Sequence, residues 1–315
     1  MVKAILLILL SAIFIQAYAQ QAKLTTNLNF TGNIGKLPIE MKLSLNKYND
    51  SIFGEYYYIK NGYDNKLYLE GTLRNGEMLL KESIYNAKSK KIETTGYFKL
   101  AYLAQKSLRG SWGKKTSVAE NTLTVKLLCR ENLLAFNPFG FDFIMSKKKP
   151  DADYMTENSV GYFTLLSLKI NVNKNARWVL YDFDIHDLVK DEVELEDVNF
   201  DGYLDIKLPI FYPDRIKRDY GYVYFVYDVK RKSFINNKTL DDLGVVFFDA
   251  VKKQIYKYDA DGSGNEEKMF YRWQSGRLLL EKAERVYEND PYVHYEEFKI
   301  ENGRSVKVRS YKKKG

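Results

Sequence analysis

The sequence predicts an all-β protein of two antiparallel β-domains: a small barrel or clam, then a meander carrying a strand–loop–strand calcium site. Three observations carry that reading. Apolar and polar residues alternate over short runs, as in Ile39-Glu40-Met41-Lys42-Leu43-Ser44-Leu45, where the odd positions would face a core. The chain has 26 Tyr and 18 Phe but only six Pro, which excludes a disordered or collagen-like polymer. Asn75-Gly76 and Asn302-Gly303 are hairpin turn signals. A length of 315 residues allows two domains, each large enough to bury a core.

The first segment reads as a transport signal. In residues 1–19, Lys3 supplies the positive end, residues 4–15 form an apolar run, and Ala17-Tyr18-Ala19 gives a small-x-small pattern before Gln20. That run is shorter than the roughly 20 residues a spanning helix needs, so cleavage is expected rather than anchoring. The expected product is exported to a periplasm or the cell exterior, with no membrane span. The single cysteine, Cys129, excludes an intrachain disulfide and any CxxC site, and it reads as a small buried hydrophobe. Stability must therefore come from packing or from a bound ion.

Residues 20–146 are expected to form the barrel-like domain, residues 147–154 a linker, and residues 155–315 the second domain. Charge supports the division. Residues 20–148 hold 20 basic against 11 acidic side chains, whereas residues 149–315 hold 28 against 30. The basic residues are scattered along strands, which reads as a solvated surface rather than a nucleic-acid site. Within the first half one device recurs: a glycine, one residue, then a large apolar one. It occurs at Gly54-Glu55-Tyr56, Gly71-Thr72-Leu73, Gly96-Tyr97-Phe98 and Gly110-Ser111-Trp112. Glycine at an inner corner lets a strand bend sharply, as closing a barrel of about eight strands requires. Tyr56 and Tyr58 are candidates for a carbohydrate-binding surface, since tyrosine has a flat apolar face and a polar tip. The other reading is that alternate tyrosines pack inward.

The second half holds the one specific motif. Asp197, Asn199, Asp201, Tyr203 and Asp205 occupy positions one, three, five, seven and nine of a D-x-N-x-D-G-x-x-D loop, with Gly202 at six. Oxygens at those positions converge on a hard cation, Tyr203 through its carbonyl, when the glycine allows a tight turn. Position twelve is Leu208 instead of a bidentate glutamate, and Pro209 excludes a helical exit, so this is not an EF-hand. Ten acidic residues and one lysine lie between Asp182 and Asp205, a density that Ca2+ would relieve. Affinity is expected at the weak end, roughly 0.1–1 mM. Asp259, Asp261, Ser263 and Glu267 form a second loop of similar style, which reads either as a further ion site or as a plain hairpin turn.

Catalytic signatures are thin. The sequence has no GxSxG, no glycine-rich phosphate loop and only two histidines, His186 and His294, too far apart for HExxH. No enzyme is expected. A hydrolase built on the acidic cluster is the minor alternative.

With Asp197 to Leu208 followed by Met269-Phe270-Tyr271-Arg272-Trp273 and Gly276-Arg277-Leu278-Leu279-Leu280, roughly residues 155–310 resemble the calcium-loop β-domain family related to periplasmic I-type lysozyme inhibitors. The resemblance implies a structural calcium and, as partner, a lysozyme-like wall-degrading enzyme. The S-G-x-x-Y signature of C-type lysozyme inhibitors is absent, so no inhibitory loop is carried over. The first half resembles a small exported bacterial β-domain of unknown role. The rival expectation is a module binding a cell-surface glycan.

Overall fold

The structure, a computed structural model, describes residues 18–103, 106–114, 122–133, 140–150, 157–172, 174–183, 187–213 and 220–315. Most of the signal segment, residues 151–154 of the expected linker, and His186 lie outside them.

Alternation becomes a closed barrel. Strands β2 (Lys23–Ile34), β3 (Leu37–Asn46), β4 (Ser51–Tyr58), β5 (Leu67–Arg74), β6 (Glu77–Asn86), β7 (Lys91–Leu103), β8 (Ser107–Gly113) and β9 (Leu123–Cys129) pair antiparallel in sequence order. β9 then returns to β2, with Phe30 opposite Cys129 and Ile34 opposite Val125. One face of each strand fills the interior: Phe30, Ile39, Leu43, Ile52, Phe98 and Leu100 are all at most 1% exposed. The inward glycines are required by sterics. A Cβ on Gly71 would sit 1.9 Å from the Leu79 carbonyl oxygen, and one on Gly110 equally close to that of Lys99. Neighbouring backbones approach so closely there that any side chain would force the strands apart.

One ionisable group enters this interior. Glu82 accepts hydrogen bonds from the Tyr56 hydroxyl at 2.5 Å, the Thr95 hydroxyl at 2.5 Å and the Trp112 indole at 2.7 Å. Three donors offset its desolvation.

The sheet continues beyond the barrel. β1 (Tyr18–Gln21) pairs with β10 (Phe141–Lys148), and β10 with β11 (Phe163–Val172). Lys147 and Lys148, expected to begin a linker, are the last residues of β10, opposite Leu165 and Thr164. β12 (Asn175–Leu180), β13 (Leu188–Val189), β14 (Glu192–Glu196), β15 (Asp205–Phe211), β16 (Tyr220–Asp228) and β17 (Ser233–Asn236) complete this layer. β14 lies parallel to β2, from Glu192 opposite Lys23 to Leu195 opposite Thr26. One hydrophobic cluster therefore runs from Leu28 and Phe30 through Leu195, Ile206 and Leu208 to Phe234.

A second sheet follows as a six-strand meander: β18 (Phe247–Asp249), β19 (Gln254–Ala260), β20 (Glu266–Gln274), β21 (Arg277–Val286), β22 (Tyr292–Glu301) and β23 (Arg304–Lys314). Before it comes a short helix, α1 (Lys238–Leu243), whose first turn is capped by the Asn237 side chain accepting from the Leu240 amide. A small core joins this sheet to the first through Val198, Tyr224, Leu240, Phe248 and Ile255. Among the described residues, no helix is long and apolar enough to cross a membrane.

Candidate functional site

The acidic loop links β14 to β15 and closes where Glu196 stands opposite Asp205. The turn is tight: Phe200 has φ 60° and Gly202 has φ 90°. Only glycine tolerates that second value without strain. Side-chain oxygens fold the loop around themselves. Asp197 accepts from the amides of Asp201 and Gly202 at 3.1 and 2.8 Å. The Asn199 carbonyl oxygen accepts from the Asp201 amide at 3.0 Å, and the Asn199 side-chain amide donates to Asp201 at 3.0 Å. Asp201 also accepts from the Tyr203 amide at 2.9 Å.

Asp205 behaves differently from the ninth-position ligand that the spacing suggested. It is fully buried, and its two oxygens accept from the Val198 amide at 2.9 Å and the Tyr227 amide at 2.8 Å. It braces the base of the loop against β16. The loop itself thus gathers Asp197, Asn199 and Asp201. Among the described residues, no three Asp, Glu, His or Cys side chains are assembled into a ready metal site.

The loop is electrostatically uncomfortable. Burial, with Asp201 and Glu131 nearby, pushes the Asp197 carboxyl up to about 7. Burial, with Asp197 and Asp201, holds Asp205 well above the usual carboxylate range. Among the described residues, no ion pair reaches Asp197, Asp201 or Asp205. Glu131 was not singled out by the sequence, because it lies just past β9, far from the motif in the chain. It is buried and accepts from Asn29 through the backbone amide at 3.0 Å and the side chain at 2.8 Å. Cys129 donates to it at 3.2 Å, and burial pushes that thiol up, away from a reactive thiolate.

The loop is also a joint. The Asn132 amide donates to the Gly202 carbonyl at 2.6 Å, tying the loop to the end of the barrel. The Trp273 indole donates to the Val198 carbonyl at 3.0 Å, and the Phe200 ring meets that of Phe248, tying it to the second sheet.

Immediately before the loop sits a buried ion network that sequence reading also missed. Lys207 on β15 contacts Glu196 at 2.9 Å and Glu194 at 3.0 Å, and Lys42 on β3 reaches the other Glu196 oxygen at 2.5 Å. Burial alone would raise Glu196, but the Lys207 and Lys42 ammonium groups hold it down to about 2.

The remaining predicted residues are placed plainly. Tyr56 is 1% exposed and faces the barrel interior, so it offers no surface to a glycan; the period-two alternation turns it inward. Tyr58 packs edge-on against it, half-buried. Tyr57, between them, is on the outer wall. In the second loop Asp261 accepts from the Ser263 and Asn265 amides at 2.7 and 3.2 Å, which is a hairpin turn held by its own side chain. Asp259 pairs with Lys257 at 3.0 Å and Glu267 with Arg285 at 2.5 Å, so protein cations already serve these two carboxylates.

No family model matches the chain, and no curated protein matches it at a significant level. Among solved structures, a Xanthomonas type IV secretion system related protein is similar at a TM-score of 0.41 and 14% identity, over 54% of this chain and 90% of that one. A protein described as a putative 6-phosphogluconolactonase from Bacteroides uniformis is similar at a TM-score of 0.27 and 8% identity, over 90% of this chain and 96% of that one. At such scores neither likeness carries an argument about what this chain does.

Proposed function

We propose that the protein is an exported, non-catalytic binding protein in which a calcium ion at Asp197, Asn199 and Asp201 locks the joint between barrel and second sheet. The observation that carries this reading is a loop in which the buried Asp197 and the exposed Asp201 stand close together, with no cation supplied by the described residues. Ca2+ takes oxygen ligands in flexible numbers, so two carboxylates, the Asn199 oxygen, the Tyr203 carbonyl and water suit it chemically. Binding only the folded state, the ion acts on stability rather than on a reaction. Export rests on the signal-like residues 1–19. The resemblance over residues 155–310 makes a lysozyme-like enzyme the first protein partner to assay.

Calorimetric titration of the mature chain with calcium tests the proposal. One ion per chain, with binding lost in Asp197→Ala, is the expected result. A folded protein that takes up no calcium at millimolar concentration would remove the ion from the account.

A further inference from the structure

A cleft of about 830 Å3 lies between the outer wall of the barrel and the second sheet. That is within the range of small-molecule sites, roughly 300–1,000 Å3. Its floor is the ion network described above, Lys42, Glu196 and Lys207, with the Tyr222 ring 4.7 Å beneath the Lys207 ammonium. Glu196 and Lys207 are buried there, and the partly exposed pairs Lys66–Glu55, at 2.8 Å, and Lys252–Asp249, at 3.3 Å, present donors and acceptors side by side in the same cleft. Two aromatic walls face across it. Phe247 is 47% exposed and stacks on Tyr256 at 4.8 Å and 16°, forming a flat platform. On the barrel side, Phe53 is 59% exposed, and Tyr57 meets Tyr63 edge-on at 5.6 Å.

We infer that this cleft binds a neutral oligosaccharide. Each sugar hydroxyl both donates and accepts, matching the partly exposed lining in which Lys42, Lys66 and Lys252 stand among Glu55 and Asp249. The apolar face of a pyranose ring matches a flat, exposed aromatic platform. Charge selects against the obvious rival. Five lysines and five carboxylates line the cleft, so it has no net attraction for a polyanion. The floor is also costly as pure structure, since burying Lys207 and Glu196 gains little over apolar packing. Tyrosines at positions 56 and 58 were the sequence candidates for glycan binding, whereas the aromatic rings here are the exposed Phe53 and Phe247 and the half-buried Tyr57. The inference rests on the non-catalytic binding reading and not on calcium occupancy.

The test is isothermal calorimetry of the mature chain with chitotetraose, cellotetraose and maltotetraose, in calcium and in EDTA, beside Phe247→Ala, Tyr57→Ala and Lys42→Met. Phe247 and Tyr57 are on the rim, so those variants should fold whether or not Lys42→Met does. The expected result is saturable binding of at least one sugar, about tenfold weaker in Phe247→Ala and Tyr57→Ala. No heat from any of the three with folded protein would overturn the assignment. So would binding indifferent to both rim variants, or, with heparin titrated as the polyanionic control, binding of heparin alone. Cleavage of a bound sugar would uphold the cleft and sink the non-catalytic reading. A calcium-induced rise in melting temperature without sugar binding would do the reverse.

Discussion

Two buried carboxylates nine residues apart, Glu196 and Asp205, face each other across one hairpin and have opposite fates. Both are almost wholly shielded from water. Glu196 has Lys42 and Lys207 against it and is held ionised, down to about 2. Asp205 has only the Val198 and Tyr227 amides, and burial drives it well above its ordinary value. Burial therefore does not decide the charge of a group in this fold; the neighbouring cation does. Where the chain supplies its own, as at Lys207, the site is complete. At the adjoining loop the described residues supply none.

The largest effect should come from removing the internal cation. Lys207→Met leaves Glu194 and Glu196 without their buried partner and should cost about 3–5 kcal/mol in urea unfolding. Adding Glu196→Leu should restore most of it, because the apolar pair no longer strands a charge. Failure to recover would mean that Lys207 matters for packing rather than for pairing. Next comes the barrel, whose stability should not depend on either charge site. Gly110→Ala places a Cβ 1.9 Å from the Lys99 oxygen and should destabilise by about 1–3 kcal/mol, with or without calcium. Trp273→Phe removes one hydrogen bond to the loop, worth about 0.5–1.5 kcal/mol, read in the same unfolding experiment. The smallest effect belongs to the second acidic loop. Asp261→Ala, at an exposed turn, should stay within about 0.5 kcal/mol and leave any calcium response intact. A lost response would move the ion site there.

Much of this was legible in the sequence. Strict alternation and the inward glycines gave the eight-strand barrel, and the spacing of the acidic loop with Pro209 excluding a helical exit gave the strand–loop–strand around it. What was not legible depends on contacts far apart in the chain. The parallel pairing of β14 with β2 joins residues about 170 positions apart, and no local pattern records it. Glu131 near Asp197, and Lys42 on Glu196, are products of that same pairing. Asp205 misled because spacing alone makes it a ligand, while only the packing of β16 shows that its oxygens are turned to backbone amides. The alternation that built the barrel also placed Tyr56 inside it, so the rule was readable even though the face was not assigned. Helix α1 is too short to show a helical period.

The central proposal is that a calcium ion at the acidic loop stabilises the fold. Thermal and urea unfolding of the mature chain, in EDTA and with about 10 mM calcium, beside Asp201→Ala, tests it most directly. For an affinity near 0.1–1 mM, about 10 mM calcium should stabilise the wild type by about 1.4–2.7 kcal/mol. Asp201→Ala should show none of that gain. A wild type that melts identically in EDTA and in calcium, while clearly folded in both, would contradict the account.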